Sequence, residues 1–197
     1  MRARWIRTEL LPILVAVFVF SAARSSLADH YYVPSGSMEP TLVAGDRVAV
    51  DKTAYGVRIP FTKVDVIDRA RPGRGDVVVF DSPASGTLLI KRVVAVGGDV
   101  VSLDRGRLTV NGASLADPAG EDAERFHDKV VRLNLADGGG PGIRGLTIPD
   151  GQLLVLGDHR GNSFDGRFFG LVAEREIYGR ALAVFYRSGD GFGWRRL

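Results

Sequence analysis

The chain has 197 residues, 45% of them hydrophobic and 25% charged, with a net charge of +3. That supports one domain with a real core plus a short anchor or insertion, and the mild charge argues against a nucleic-acid partner. The absence of cysteine excludes disulfides, thiolate zinc sites and thiol catalysis.

Residues 1–30 open with Arg2, Arg4 and Arg7, followed by an apolar run from Leu10 to Ala23 and then Arg24. The run is shorter than the ~20 residues of a spanning helix. Trp5 and Ile6 extend it if Arg7 and Glu9 reach toward the headgroups. A cleaved secretory signal has the same outline, with SAA or SLA as its small-residue cleavage site. On this segment alone, anchor and signal stay open. In both cases the basic tip stays in the cytoplasm and the remainder is exported.

Next comes YYVPSGSMEPTLVAGDRV, residues 31–48. Gly, Ser and Pro together read as a turn. A serine on a stiff turn also suits a nucleophile, provided a base is near. From residue 46 onward the pattern is that of short strands rich in β-branched residues and bounded by Gly, Pro, Asp or Asn. These are 46–55, 75–83, 87–96, 99–112, 151–158 and 178–188. Within 99–112, DRGRLTVNG predicts a hairpin, with NG as a turn signal. Residues 119–133, AGEDAERFHDKVVRL, are expected as a short helix, and the glycine-rich 135–145 as a surface loop. The fold class is mainly antiparallel β. Its body runs over 31–197, with a less regular insertion at about 99–149.

Only four lysines stand among 26 basic residues. One of them, Lys91, lies in the apolar strand TLLIKRVVAV. Alternation sends Leu89, Lys91 and Val93 to one face, with Ile90 and Arg92 on the other. Burial there disfavours the ammonium, and a neutral amine can act as general base. The alternative is an edge-strand lysine reaching water. His159, in GDHRGNSFDGR, keeps a Ser-His-Asp arrangement open.

Four stretches in order, PSGSMEPTL (34–42), GDVVVF (75–80), LIKRVVAVGGD (89–99) and GDHRGNSFDGRFFG (157–170), resemble the sequence boxes of type I signal peptidases. These are membrane-bound serine proteases with a Ser/Lys dyad, and in them the apolar N-terminus is a retained anchor. The resemblance implies Ser37 as nucleophile and Lys91 as general base. Ser35 and the Ser37 N–H would form the oxyanion hole, and Ser163 would orient the lysine. Asp165 with Arg167, and Asp158 with Arg92, would be supporting ion pairs. Tyr31, Val33, Met38, Leu42 and Ile90 would line shallow substrate pockets. Leu89, Val93, Met38 and a lipid-facing surface would desolvate Lys91, with no carboxylate nearby. The family often carries Asn where His159 stands, and Asp and Ser where Gly161 and Gly166 stand.

No cofactor is implied, and no His/Asp/Glu cluster has metal-ligand spacing. The expected partners are preprotein signal peptides, membrane lipid and the secretion machinery. The expected location is the bacterial inner membrane, crossed once, with the catalytic domain on the periplasmic face. The rival readings are a pilin-type maturation protease of the same family and a non-catalytic, membrane-tethered envelope β-domain. A self-cleaving repressor would need a DNA-binding domain where the apolar segment stands.

Overall fold

A computed structural model of the protein describes residues 10–26, 28–58, 65–68, 70–118, 120 and 122–197. Helix α1 (Leu11–Ser26) comes first. Its apolar side chains Leu11, Ile13, Leu14, Val15 and Val17 face outward without cover. At 16 residues it is short, and no helix among the described residues is long and apolar enough to cross a membrane. The arginine-rich tip expected in the cytoplasm lies outside the described residues.

The strands follow closely: β1 (Ala28–Tyr32), β2 (Arg47–Asp51), β3 (Gly56–Arg58), β4 (Asp65–Asp68), β5 (Val77–Asp81) and β6 (Leu88–Val96). Then come β7 (Val100–Asp104), β8 (Arg107–Val110), β9 (Ala113–Ser114), β10 (Ala123–Phe126), β11 (Lys129–Arg132) and β12 (Ile143–Thr147). The chain closes with β13 (Gln152–Leu156), the one-turn helix α2 (Gly166–Phe169), β14 (Val172–Ala173), β15 (Ile177–Arg187) and β16 (Gly191–Arg196). The body thus begins at Ala28, a few residues before the expected boundary.

The main sheet runs β1-β2-β15-β5-β6-β13-β14, with β16 also paired to β15. Its named pairs are antiparallel. Strand β6 is central, between β5 and β13, which rules out the edge-strand reading of Lys91. The alternation along it holds. Ile90 packs with Val33, Met38, Leu42, Val77 and Val79 on one face. Leu89 and Val93 join Val78, Phe80, Val155 and Ile177 on the other.

Residues 99–149 are more regular than the sequence suggests. They build a second sheet, β12-β7-β8-β9, and a separate β10–β11 hairpin. The turn residues explain the hairpins. Arg105 and Gly106, at φ 46° and 80°, join β7 to β8, and Asn111 and Gly112, at φ 53° and 79°, join β8 to β9. Two successive positive φ values match the right-handed twist of the flanking strands.

The helix expected over 119–133 is not formed. Strands β10 and β11 pair there instead, from Ala123↔Arg132 to Phe126↔Lys129. Alternation explains the difference: Phe126 and Val131 enter the core with Val101, Leu103, Leu108 and Ile148, while Arg125 and Val130 face out. His127, at φ 55°, makes the turn. The β-branched Val130 and Val131 favour a strand once such a core is offered.

Glu124, in that hairpin, is buried against a fully buried Arg160. Arg160 donates to Glu124 Oε1 at 2.9 Å and to Oε2 at 2.5 Å, and also to the Gly106 carbonyl. Glu124 further accepts the Leu108 N–H at 2.9 Å. This pair ties the second sheet to the loop after β13. Glu124→Ala would strand a buried guanidinium, so we expect about 3–5 kcal/mol lower stability. The midpoint of urea unfolding, compared with wild type, measures it.

Candidate active site

The turn that carries Ser37, the expected nucleophile, lies between β1 and β2. Its base is sunk in the core, because Val33, Met38 and Leu42 are all buried in one apolar cluster with Val48, Val50 and Val184. Tyr31 and Ile90 pack against the same cluster, so the five expected pocket residues are neighbours. Backbone bonds close the turn: Glu39 N–H to Gly36 O at 3.0 Å, and Leu42 N–H to Met38 O at 2.9 Å. The segment 41–46 is tied down by Arg187, whose guanidinium reaches Asp46 at 2.7 and 3.0 Å and the Thr41 carbonyl at 3.2 Å. Two prolines and this ion pair hold Ser35 and Ser37 on a rigid support.

Lys91 reaches that support from β6. Its Nζ lies 2.6 Å from Ser37 Oγ. Ser35 Oγ lies 3.4 Å from the same oxygen, on the exposed side. The lysine side is otherwise closed, since Lys91 is 3% exposed while Ser37 is half-buried. A cavity of about 570 Å³ bounded by Lys52, Tyr55, Arg71 and Glu174 includes neither residue.

The loop 157–165, between β13 and α2, forms the third side. Asp158 accepts from Arg92 at 2.8 and 2.6 Å and from the Thr41 hydroxyl at 2.5 Å. One carboxylate thereby joins the lysine strand to the nucleophile turn. Asp165 accepts from Arg167 Nε and Nη2, both at 2.8 Å, and from the Gly157 N–H at 3.0 Å. It also caps α2 through the Arg167 N–H. Both ion pairs are buried on both partners.

Ser163 sits close by, but its buried Oγ makes no hydrogen bond, to Lys91 or to any other described residue. A Cβ on Gly157 would meet both Ser163 Oγ and the Ser37 carbonyl at 2.3 Å, so a glycine is needed where they converge. His159 is not placed as a base for Ser37. Its backbone N–H donates to the Ser37 carbonyl at 3.2 Å, while its ring faces Asp137, with Nε2 3.4 Å from Oδ2.

The electrostatics turn on one competition. Burial pushes the Lys91 ammonium down from 10.5 to about 8. Asp165 and Asp158 pull it upward, and Arg167 pushes it down again. The expectation of no nearby carboxylate is therefore corrected. Two are near, but each is engaged by its own arginine, and desolvation prevails.

Some site residues escape sequence reading. Thr41 sits inside a recognisable box, yet its link to Asp158 spans the fold. Arg160 looks like a solvated charge among glycines. Glu124, its partner, lies in a segment read as helical, and no local pattern could pair the two.

Comparison with known proteins places the chain in a family. The family described as signal peptidase, peptidase S26, matches residues 2–186. Signal peptidase I of Pseudomonas aeruginosa is 36% identical, over 92% of this chain and 72% of its own length. That of Pseudomonas fluorescens is 35% identical, over 90% and 70%. A solved signal peptidase I from Enterococcus faecalis covers 56% of this chain and 97% of its own, at 28% identity and TM-score 0.41. The protein is a serine endopeptidase of the signal-peptidase class. The chain belongs to the peptidase S26 family and cleaves signal peptides as a type I signal peptidase.

The lysine's sign is testable through stability. A folded pKa of about 8 against 10.5 means that the unfolded chain binds the proton more readily. The stability linked to Lys91 is therefore present above pH 10.5 and lost as pH falls through about 8. The drop from 10.5 to about 8 corresponds to about 3 kcal/mol. Lys91→Met should accordingly resist urea better than wild type at pH 7, with the advantage shrinking above pH 10. Paired unfolding curves at the two pH values check this.

Proposed function

We propose that hydrolysis is carried out by Ser37 as nucleophile and Lys91 as general base. The observation that carries this is the 2.6 Å approach of a buried lysine amine to a serine hydroxyl. With Lys91 neutral, the Ser37 hydroxyl donates to Nζ. As Oγ attacks the scissile carbonyl carbon, its proton passes to the amine. The carbonyl oxygen becomes an oxyanion, received by the Ser37 N–H and the Ser35 hydroxyl. The intermediate collapses, the C–N bond breaks, and the Lys91 ammonium protonates the leaving amine. Water then attacks the acyl-serine as Lys91 takes its proton; the acyl C–Oγ bond breaks, and the ammonium returns that proton to Ser37 Oγ as the acid product leaves. Arg92–Asp158 and Arg167–Asp165 hold the lysine strand and the loop in register. Ser163, buried and unpaired beside them, is available to the ammonium once it forms.

Specificity follows from the apolar cluster. Val33, Met38 and Leu42 are buried, with Tyr31 and Ile90 packed against them, which suits pockets of little depth. Small side chains at the first and third positions before the cut suit them, and large ones clash.

The location we propose is a membrane crossed once. Arg2, Arg4 and Arg7 stay in the cytoplasm, and the catalytic domain lies on the periplasmic face, beside lipid and the secretion machinery. The uncovered apolar side chains of α1 support an anchor, which needs part of residues 1–9 to reach full span.

Ser37→Ala and Lys91→Ala should each lower kcat by about 10⁴-fold or more. Lys91→Arg should fail equally, because a guanidinium does not deprotonate. His159→Ala should leave the acid limb of the pH–rate profile in place, since activity falls as pH drops through the Lys91 pKa of about 8. Cleavage of a model preprotein, followed by sequencing of the new N-terminus, reads all four. An active Lys91→Ala beside a dead His159→Ala would replace the dyad with a histidine mechanism.

Orientation is tested separately. A reporter active only in the periplasm, fused after Leu197, should be active, and its cytoplasmic counterpart silent.

A further inference from the structure

The glycine-rich stretch 135–145 is expected from sequence to be a surface loop. Ala136, Asp137 and Gly138 are exposed, as expected, but Gly139 and Gly140 are closely confined. Asp137, Gly138, Gly139 and Gly140 follow one another at φ 61°, 74°, 75° and 71°. Such a run is costly for any residue with a side chain, apart from Asn or Asp.

Space is as restrictive as the dihedrals. A Cβ on Gly139 would sit 2.4 Å from the carbonyl carbon of Arg105, in the β7–β8 turn. One on Gly140 would sit 2.4 Å from Arg167 Nη1 and 2.8 Å from the Arg160 carbonyl. From the other side, a Cβ on Gly161 would meet the Ala136 carbonyl at 2.2 Å. Gly139 and Gly140 are wedged between the second sheet and the loop 157–165, while residues 136–138 face solvent.

Its polar contacts lead to the reacting groups. The Gly139 carbonyl accepts from Arg167 Nη1 at 2.8 Å, and Arg167 holds Asp165. Asn134, at the start of the turn, donates its N–H to Asp158 O and accepts from Arg160 N–H, both at 2.9 Å. Asp137 stands beside the ring of His159, whose N–H holds the Ser37 carbonyl. These contacts end on Arg167 and Asp158, whose charges act on Lys91, on His159, which holds the Ser37 carbonyl, and on Arg160 beside it.

We propose that the turn 136–140 is a positioning element for catalysis, a backbone clamp that sets the loop 157–165 and Arg167 against Ser37 and Lys91. This rests on the Ser37–Lys91 reading above. It assigns a role to residues outside the dyad, the oxyanion hole and the substrate pockets. The second sheet thereby acts on the rate, since it buttresses the clamp through Arg105 and Gly106.

Gly140→Ala drives a methyl group into Arg167 and the Arg160 carbonyl. Gly112→Ala imposes the same left-handed strain at φ 79°, where nothing lies within 4 Å of the new Cβ. Both are made in the full chain in detergent micelles, and urea unfolding sets the folded fraction. We expect Gly140→Ala to lower kcat at least tenfold per folded molecule, with KM within about twofold, and Gly112→Ala to match wild type. Arg167 depresses the Lys91 pKa, so its displacement should also move the acid limb of the Gly140→Ala profile to higher pH. A purely structural role would shift neither kcat per folded molecule nor that limb. If Gly140→Ala does not fold, Asp137→Ala serves, with an expected threefold loss of kcat. Equal kcat per folded molecule in Gly140→Ala and Gly112→Ala, or a wild-type rate in Asp137→Ala, overturns the clamp. A live Lys91→Ala enzyme would instead overturn the dyad, so the two failures are distinguishable.

Discussion

Three buried arginine–carboxylate pairs meet within ten residues of chain, and the active site depends on them. Asp158 holds Arg92, Arg160 holds Glu124, and Asp165 holds Arg167. Each draws a different element to the loop after β13: the lysine strand, the β10–β11 hairpin and the helix that follows. Buried pairs of this kind add little net stability compared with apolar packing, because desolvation offsets much of the Coulomb gain. Their value is geometric. A guanidinium engaged by two oxygens fixes distance and angle together. Asp158 accepts from Arg92 and Thr41 at once, so it aligns the lysine strand with the nucleophile turn.

The same pairs explain how the pKa of the Lys91 ammonium stays depressed near two carboxylates. An unengaged Asp158 or Asp165 would hold the ammonium firmly. Each instead spends its charge on an arginine, and burial then controls Lys91. Burial is nearly complete there, since β5 pairs with β6 alongside Lys91 and β13 pairs with it from Arg92 onward. Fold and pKa are thus one problem: moving Lys91 to an edge strand would return it to water and to its charge.

The segment 99–149 belongs to the same economy of support. Its sheet shares a core with Val94, Ala95, Leu154 and Leu156 of the main sheet, so it is not a loose attachment. Through Glu124 and the β7–β8 turn it reaches the underside of the loop 157–165. The nucleophile turn is braced separately, by Arg187 of β15 through Asp46 at the turn's end. Two braces from two directions leave Ser37 and Lys91 little freedom relative to each other, which is what a preorganised site needs.

Much was legible in the residues alone. Alternation placed Lys91 on an apolar strand and put Ile90 and Leu89 on opposite faces, because side-chain direction in a strand is a local property. NG after DRGRLTV marked a hairpin turn for the same local reason. The Ser-Gly-Ser turn stood out because its residue types are those a stiff turn requires. The strand in place of a helix at 123–132 was not legible, because Val131 and Phe126 choose β structure only when the second sheet's core receives them. Nor was the partner of Arg160. Glu124 is 36 positions away, and nothing in its own neighbourhood signals a buried charge. The sequence by itself determined the strand that carries Lys91 and the turn that carries Ser37. Tertiary structure alone decided that burial outweighs two nearby carboxylates at Lys91, because that balance is set by distances between segments remote along the chain.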